Sequence, residues 1–310
     1  MRIAIIGQQD FGKAVLEACL ARKDDVAGVF CAPEKPGAKA DPLRAAAGEK
    51  GLKVFQFKSL REPQAHEALG SLKADLGIMA YVLQFAPDSL VGIPRLGTIQ
   101  YHPSLLPQYR GPSSINWPII RGDTRTGITI FRPTEGLDEG PIVLQKTCDI
   151  GPDETLGDVY FNKLFPMGVA AMLEAADLVA AGKHSETPQD ESQASYEGWC
   201  REAEARIHWA HHVDFVYNLI RGCNPAPGAW TLANGRKLQV FDARKRLARR
   251  YADVKGKAGE VFDITDASFK VTAQGGAVEV LRARAEDGKK LSGGDVARAL
   301  GLTSGTLLGS

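Results

Sequence analysis

Short apolar runs alternate with helical stretches through the first half of the chain, and period-two apolar runs fill its last third. Together they predict an α/β protein. The larger part is read as a Rossmann-like, mainly parallel sheet and the smaller C-terminal part as a β-barrel. A third observation divides the two. Residues 184–195 are polar, carry Pro188 and the acidic pair Asp190 and Glu191, and read as a linker over the surface. The first domain is therefore assigned residues 1–200 and the second residues 201–310.

Residues 1–7 read as a short buried strand, and a helix is expected from about Lys13 to Arg22, the opening of a βαβ unit. Strands at 26–31, 52–57 and 76–81, with helices at 42–50 and 64–73, continue the alternation. A parallel sheet of this kind places its ligands at the carboxyl ends of the strands. Gly7 and Gly12 lack the G-x-G-x-x-G spacing of a dinucleotide site, and no Gly-Lys-Ser/Thr follows them, so a nicotinamide site is disfavoured. Residues 113–121 predict a helix whose Ile115, Trp117, Ile119 and Ile120 are core. Its Asn116 would orient His102, donate to a substrate, or serve structure alone. Paired strands follow at 127–131 and 142–148, then an amphipathic stretch at 155–181 that Pro166 must kink or restart. Beyond a helix at 212–221, the apolar runs at 238–241, 259–264, 269–271 and 278–281 suggest the barrel.

Composition excludes several classes. The 38 Lys and Arg against 37 Asp and Glu leave a net charge of +1, so there is no global field with which to collect nucleic acid. The five cysteines show no C-x-x-C spacing, which disfavours a disulfide framework and a zinc site. His208, His211 and His212 cluster near Trp209 without the carboxylate or thiol that would complete a metal site, so none is expected. No leader pattern and no apolar run of roughly eighteen residues is present, and the expected setting is the cytoplasm, with no membrane partner.

The chemistry concentrates in residues 100–112. Pro103, Pro107 and Pro112 exclude a helix or a central strand there, yet the run carries the Gln100 carboxamide, the His102 imidazole, the Ser104 hydroxyl and the Arg110 guanidinium. A proline-stiffened loop is a way to hold polar groups still. Downstream, Gly136 and Gly140 bracket Asp138 and can take backbone angles closed to other residues. Asp138 is thus expected in a tight turn at a strand end, paired with His102 for proton transfer.

His102-Pro103-Ser104-Leu105-Leu106-Pro107, then Arg110-Gly111, then Gly136-Leu137-Asp138-Glu139-Gly140, resemble the signature of the folate-dependent formyltransferases. The likeness runs along nearly the whole chain. Within the family the chain is most similar to the N-terminal hydrolase domain of 10-formyltetrahydrofolate dehydrogenase, through Tyr101-His102-Pro103-Ser104, Ser114-Ile115-Asn116-Trp117 and Pro225-Ala226-Pro227-Gly228-Ala229-Trp230. Methionyl-tRNA formyltransferase is the next relative. The resemblance implies a formyltransferase fold with an OB-like second domain, and 10-formyltetrahydrofolate as formyl donor without a metal. It implies Gln100, His102 and Asp138 as catalytic residues. Tyr81, Val82, Leu83, Gln84 and Phe85 would meet the pterin, largely through main-chain groups, and Ser104, Leu105, Arg110 and Gly111 would also contact substrate. The sequence departs from the family pattern at Gln100, where the transferases place an Asn that stabilises the oxyanion. The amide survives, but one methylene longer it is a less preorganised donor.

The acceptor stays open among water, an amine on tRNA or on a nucleotide sugar, and a phosphopantetheine thiol. The tRNA amine is disfavoured, because methionyl-tRNA formyltransferases carry a longer basic insertion where residues 33–42 here are short and set Glu34 and Asp41 beside Lys35 and Lys39. The basic residues 244–250, placed between barrel strands, are read as a solvated face rather than a contact for phosphate or for the glutamate tail of folate. A reading of another class is a folate-binding module that has lost its chemistry, with Gln100 as its mark.

Overall fold

The computed structural model describes residues 1–286 and 288–309. In chain order its elements are β1 (Arg2–Gly7), α1 (Gln9–Ala21), β2 (Asp25–Cys31), α2 (Pro42–Glu49), β3 (Val54–Gln56), α3 (Pro63–Ser71), β4 (Leu76–Ala80), α4 (Asp88–Val91), β5 (Thr98–His102), α5 (Asn116–Arg121), β6 (Arg125–Phe131) and β7 (Ile142–Asp149). There follow α6 (Leu156–Val159), a π-helical turn at Tyr160–Leu164, α7 (Phe165–Ala180), α8 (Val213–Gly222), β8 (Ala229–Ala233), β9 (Arg236–Leu247), β10 (Val261–Phe262), β11 (Phe269–Ala273), β12 (Gly276–Ala285), β13 (Leu291–Ser292) and α9 (Gly293–Ala299). The chain divides into two compact units. Unit 1 is Met1–Gly111, Gly127–Cys148 and Phe161–Tyr196, and unit 2 is Pro112–Thr126, Asp149–Tyr160 and Glu197–Ser310.

Unit 1 is built on a seven-stranded sheet of order β3-β2-β1-β4-β5-β6-β7. Strands β1 to β5 run parallel, and β6 lies antiparallel to β5. The order reverses between β1 and β4, which makes the carboxyl ends of those strands the place where such sheets hold ligands. Close approach at that point depends on glycine. A Cβ on Gly7 would lie 2.1 Å from the carbonyl oxygen of Ala80, and one on Gly12 would press against Leu43 and that same oxygen. The first helix accordingly begins at Gln9, four residues ahead of the expected Lys13, because Gly12 is a packing residue of the helix and not a turn before it. Pro166 restarts a helix as expected, standing in the first turn of α7 where its missing N–H costs nothing. One core cluster joins Ala4, Ile6 and Phe30 to Leu69, Leu72 and Leu90, with Phe55 stacked on Phe30.

Unit 2 carries the antiparallel sheet of order β10-β11-β12-β9-β8, with β13 added to β12. Trp209, Val216, Val240, Phe269 and Val278 fill its core, and the curled half-barrel agrees with the OB-like domain expected. The sequence missed β8 and α9. The basic run proves to be strand rather than connector as far as Leu247, because Arg244 stands across from Glu279 of β12, which Arg246 also meets at 2.6 Å. Lys245 is paired with Asp214 at 2.7 Å. Within unit 2 the Asn116 amide donates both protons to the protein, to the carbonyls of Gly222 (2.9 Å) and Ala226 (3.3 Å), as a structural asparagine does.

The segment after β2 is tied down by its own carboxylates. Glu34 accepts from the Gln56 side chain at 2.8 Å and from the Asp41 amide at 3.1 Å, while Asp41 caps α2 and takes the Gln9 amide. The Gln56 bond, then the Asp41 amide and Arg44, hold the Glu34 carboxyl at about 2 against an ordinary 4.5. A carboxyl depressed in the folded state stabilises above its unfolded value, and that contribution is lost as pH falls through the folded value. The stability advantage of the parent over Glu34→Gln should be constant above pH 4.5 and shrink towards pH 2, as read by urea unfolding. An advantage undiminished at the lower pH would refute the assignment.

Candidate active site

Strand alternation places Gln100 and His102 on one face of β5 and Tyr101 on the other, where its ring stacks on Phe11 at 4.1 Å. His102 is the last residue of the strand and is buried. The loop that follows is held by a buried hydroxyl network. Thr129 of β6 donates to the Ser104 carbonyl (2.7 Å) and accepts from the Leu106 amide (3.1 Å) and from Gln145 (3.0 Å). The Ser104 hydroxyl donates to the Gln108 carbonyl at 2.6 Å. Ser104 is fully buried and its hydroxyl is engaged within the loop. Leu105 packs where a Cβ on Gly127 would stand, 2.6 Å from its Cδ2.

The far end of the loop fixes the imidazole. Tyr109 takes a left-handed backbone (φ 58°), and its carbonyl oxygen lies 2.8 Å from His102 Nε2. A carbonyl only accepts, so Nε2 carries the proton and Nδ1 is the basic nitrogen. Nδ1 faces Asp138 Oδ2 at 3.5 Å, with both side chains less than a tenth exposed. That separation is long for a hydrogen bond, and with Nδ1 unprotonated both atoms are acceptors until a proton joins them. Oδ2 is itself fixed by the Gly111 amide at 2.9 Å.

The Asp138 turn corrects one expectation. Asp138 takes the left-handed conformation (φ 56°), while Gly136 and Gly140 are not among the residues with positive φ. Those glycines answer to space instead. A Cβ on Gly140 would lie 1.6 Å from the Arg132 carbonyl oxygen, and one on Gly136 would lie 2.0 Å from Glu139 Oε2.

Arg110 is completely buried. Its guanidinium donates to Glu191 (2.6 and 3.0 Å), to Gln189 (2.8 and 3.1 Å) and to the Tyr196 hydroxyl (2.5 Å). The Glu191 bond leads in raising the Arg110 pKa, and the same bond lowers that of Glu191. Tyr196 in turn donates to Glu139, a bond that raises the pKa of the phenol. Gly111, left-handed at φ 101°, gives its amide to Asp138. Arg110, Gly111 and Ser104 therefore build the site from behind, with their polar groups engaged by the protein. Sequence reasoning missed Thr129, Gln145, Gln189, Ser195 and Tyr196. The segment at 184–195 was read as a linker, and nothing in its polar composition marks it as bonded to two loops.

Two other parts carry groups without protein partners. Tyr81, Leu83 and Phe85 are exposed after β4, Gln84 anchors its side chain on the carbonyls of Phe57 and Lys58, and Arg61 lies over the Phe85 ring at 4.4 Å. Among the described residues the backbone groups of Val82, Leu83 and Phe85 make no hydrogen bond. The half-buried Gln100 carboxamide likewise has no partner among them. Among the described residues no three His, Cys, Asp or Glu side chains converge as metal ligands, and no helix is long and apolar enough to cross a membrane.

A strand-end His–Asp pair, an unengaged amide on the same strand face and a neighbouring loop with open backbone groups form one constellation. The chain carrying it matches the Formyl transferase family over residues 1–175 and the Formyl transferase, C-terminal domain family over residues 200–301. It belongs to the formyl transferase family. Mitochondrial 10-formyltetrahydrofolate dehydrogenase of Mus musculus is 41% identical over 248 residues, covering 78% of this chain and 26% of that one. The chain thus spans about a quarter of the length of the dehydrogenases it matches. Methionyl-tRNA formyltransferase of Syntrophus aciditrophicus (strain SB) is 35% identical over 312 residues, covering 99% of this chain and 98% of that one. Among solved structures, an N-formyltransferase from Helicobacter canadensis with folinic acid and dTDP-3-aminofucose shares the fold at TM-score 0.69 and 17% identity, covering 90% of this chain and 98% of that one. HypX from Aquifex aeolicus with tetrahydrofolic acid does so at TM-score 0.66 and 21% identity, covering 97% and 47%.

The buried Thr129 hydroxyl makes the sharpest test of the loop's construction. Thr129→Val keeps shape and strips three hydrogen bonds, leaving the Ser104 carbonyl and the Leu106 amide unsatisfied at about 1–3 kcal/mol each, while Gln145 keeps the Leu106 carbonyl. A loss of about 2 kcal/mol or more in urea unfolding is expected, with Thr129→Ser recovering most of it. Parent-like stability in the valine variant would mean that the hydroxyl does not organise the loop.

Proposed function

We propose that the chain takes the formyl group from 10-formyltetrahydrofolate and passes it to water, giving tetrahydrofolate and formate. The observation that carries this reading is the His102–Asp138 pair, with the imidazole tautomer set by the Tyr109 carbonyl so that the basic nitrogen faces the carboxylate. The pterin lies along residues 81–85, whose open backbone groups suit a flat heterocycle with donors and acceptors on its edge. The Gln100 amide donates to the formyl oxygen as it becomes an oxyanion. The water oxygen attacks the formyl carbon and loses a proton to the His102–Asp138 pair. The C–N bond then breaks, and the departing nitrogen of tetrahydrofolate takes up a proton from the pair.

Water is favoured as acceptor by the 43% identity to cytosolic 10-formyltetrahydrofolate dehydrogenase of Mus musculus, against 35% to the methionyl-tRNA formyltransferase. A second reading, an amine acceptor on tRNA or a nucleotide sugar, rests on the near end-to-end match to the methionyl-tRNA formyltransferase. The cytosol is the compartment we assign.

Formate release from 10-formyltetrahydrofolate by the purified chain, followed by absorbance without any acceptor, tests the reading. His102→Ala and Asp138→Asn should each lower the rate by about 10²–10⁴-fold, the usual range for a positioned proton-transfer group, with circular dichroism unchanged. Gln100→Ala should cost about 10²-fold or more. Turnover that appears only with an amine acceptor would replace hydrolysis by transfer. Folate binding with no turnover under any condition would sink both.

A further inference from the structure

One carboxamide joins the two loops of the site. Gln189 Oε1 accepts from Arg110 Nε (3.1 Å) and Nη2 (2.8 Å), and its Nε2 donates to the backbone carbonyls of Asp138 and Gly140, both at 2.8 Å. The amide's orientation is unambiguous, because a guanidinium can only donate and a carbonyl can only accept. Every bond is non-local, spanning 79 residues to Arg110 and 51 to Asp138. The same segment grips the His102 loop again through Ser195, which takes the Tyr109 amide on its hydroxyl (2.8 Å) and the Arg110 amide on its carbonyl (2.9 Å).

We propose that Gln189 is a positioning residue of the active site, which sets the distance and angle between the His102 imidazole and the Asp138 carboxylate. This rests on the formyl-release reading above. The path is short. His102 is oriented by the carbonyl of Tyr109, the next residue is Arg110, Arg110 is bonded to Gln189, and Gln189 holds the backbone of Asp138. Asp138 and Tyr109 both sit in left-handed backbone conformations, which persist only where surrounding bonds over-determine them. Without the two donations from Gln189, the Asp138 carbonyl and the Gly140 carbonyl lose those anchors and the turn can relax. A misplacement of about 1 Å is enough to cost about 10²-fold in rate.

Gln189→Glu separates this role from simple stabilisation. The carboxylate still accepts from Arg110 but cannot donate to either carbonyl. Gln189→Met, of similar length, removes both sides and serves as second variant. For folded variants, kcat for formate release should fall at least tenfold with KM for 10-formyltetrahydrofolate within about twofold, the pattern of a contact that acts only in the transition state. In ¹⁵N-histidine NMR, His102 of the parent should show Nε2 protonated, and both variants should show averaged tautomers. Unchanged kcat and unchanged imidazole signals in Gln189→Glu would overturn the proposal, as would altered signals at unchanged kcat. If the parent released no formate, the formyl-release reading would fall. The imidazole signals, which need no substrate, would still decide whether Gln189 positions the pair.

Discussion

The site depends on the hydrogen bond from His102 Nε2 to the carbonyl of Tyr109. It removes one of the two neutral tautomers and leaves Nδ1 as the nitrogen that can gain a proton, and Nδ1 is the one that faces Asp138. The carbonyl reaches the ring only because Tyr109 takes a positive φ, a conformation that costs an ordinary residue about 1–2 kcal/mol. Much of the surrounding architecture answers that cost. Ser195 fixes the amides on either side of the Tyr109 carbonyl, Thr129 fixes the loop's entrance, and Arg110 anchors its exit in a buried cluster. Asp138 repeats the arrangement with its own positive φ, held by Gly111 in front and Gln189 behind. Two strained residues, Tyr109 and Asp138, thus stand on either side of the His102 imidazole, and the neighbouring hydrogen bonds oppose relaxation of either.

What could be read from the sequence follows from which signals are local. The alternation of strand and helix, the proline-rich run and the Gly-flanked Asp138 are patterns within a few residues of one another. The prolines mark a loop from Pro103 onward, but Gln100, Tyr101 and His102, expected in that loop, belong to the interior strand β5, because pairing with β4 and β6 is not a local signal. The purpose of the glycines was not local. Gly136 and Gly140 make room for Glu139 and for the Arg132 carbonyl, and Gly12 makes room for Leu43, none of which follows from spacing. The strap at 184–195 was misread for the same reason. Its residues are polar, as a solvated linker's would be, yet Gln189, Glu191 and Ser195 bond to the Asp138 turn, Arg110 and Tyr109, 49 to 86 positions away. The same difficulty hid the strand character of the basic run, whose charges are tolerated because Glu279 and Asp214 stand opposite.

Arg110 illustrates how a sequence signature can mix two kinds of residue. In a motif of His102, Arg110 and Asp138, a guanidinium invites a role against an anionic substrate. Here its donors are turned on Glu191, Gln189 and the Tyr196 hydroxyl, and no part of the side chain is exposed. An ion pair whose carboxylate is largely exposed, as that of Glu191 is, adds little net stability. Its value lies in geometry. A planar guanidinium with fixed donor directions ties the Tyr109 end of the loop to the strap more stiffly than a flexible ammonium would.

Gln100 stands apart from this bracing, and the contrast bears on how the site works. His102 and Asp138 are both held by hydrogen bonds within the protein. The Gln100 carboxamide has no protein partner among the described residues and one more rotatable bond than an asparagine would have. Ordering a glutamine side chain costs up to about 2 kcal/mol of rotamer entropy, and nothing in the protein meets that cost in advance. On the hydrolytic reading proposed above, that cost would be met by the bond formed to the substrate's oxygen, which would strengthen as negative charge grows there. An amide ordered by a transition state rather than by its neighbours still lowers a barrier, because it binds that state more tightly than the ground state. The longer side chain is thus a less preorganised donor than an asparagine would be.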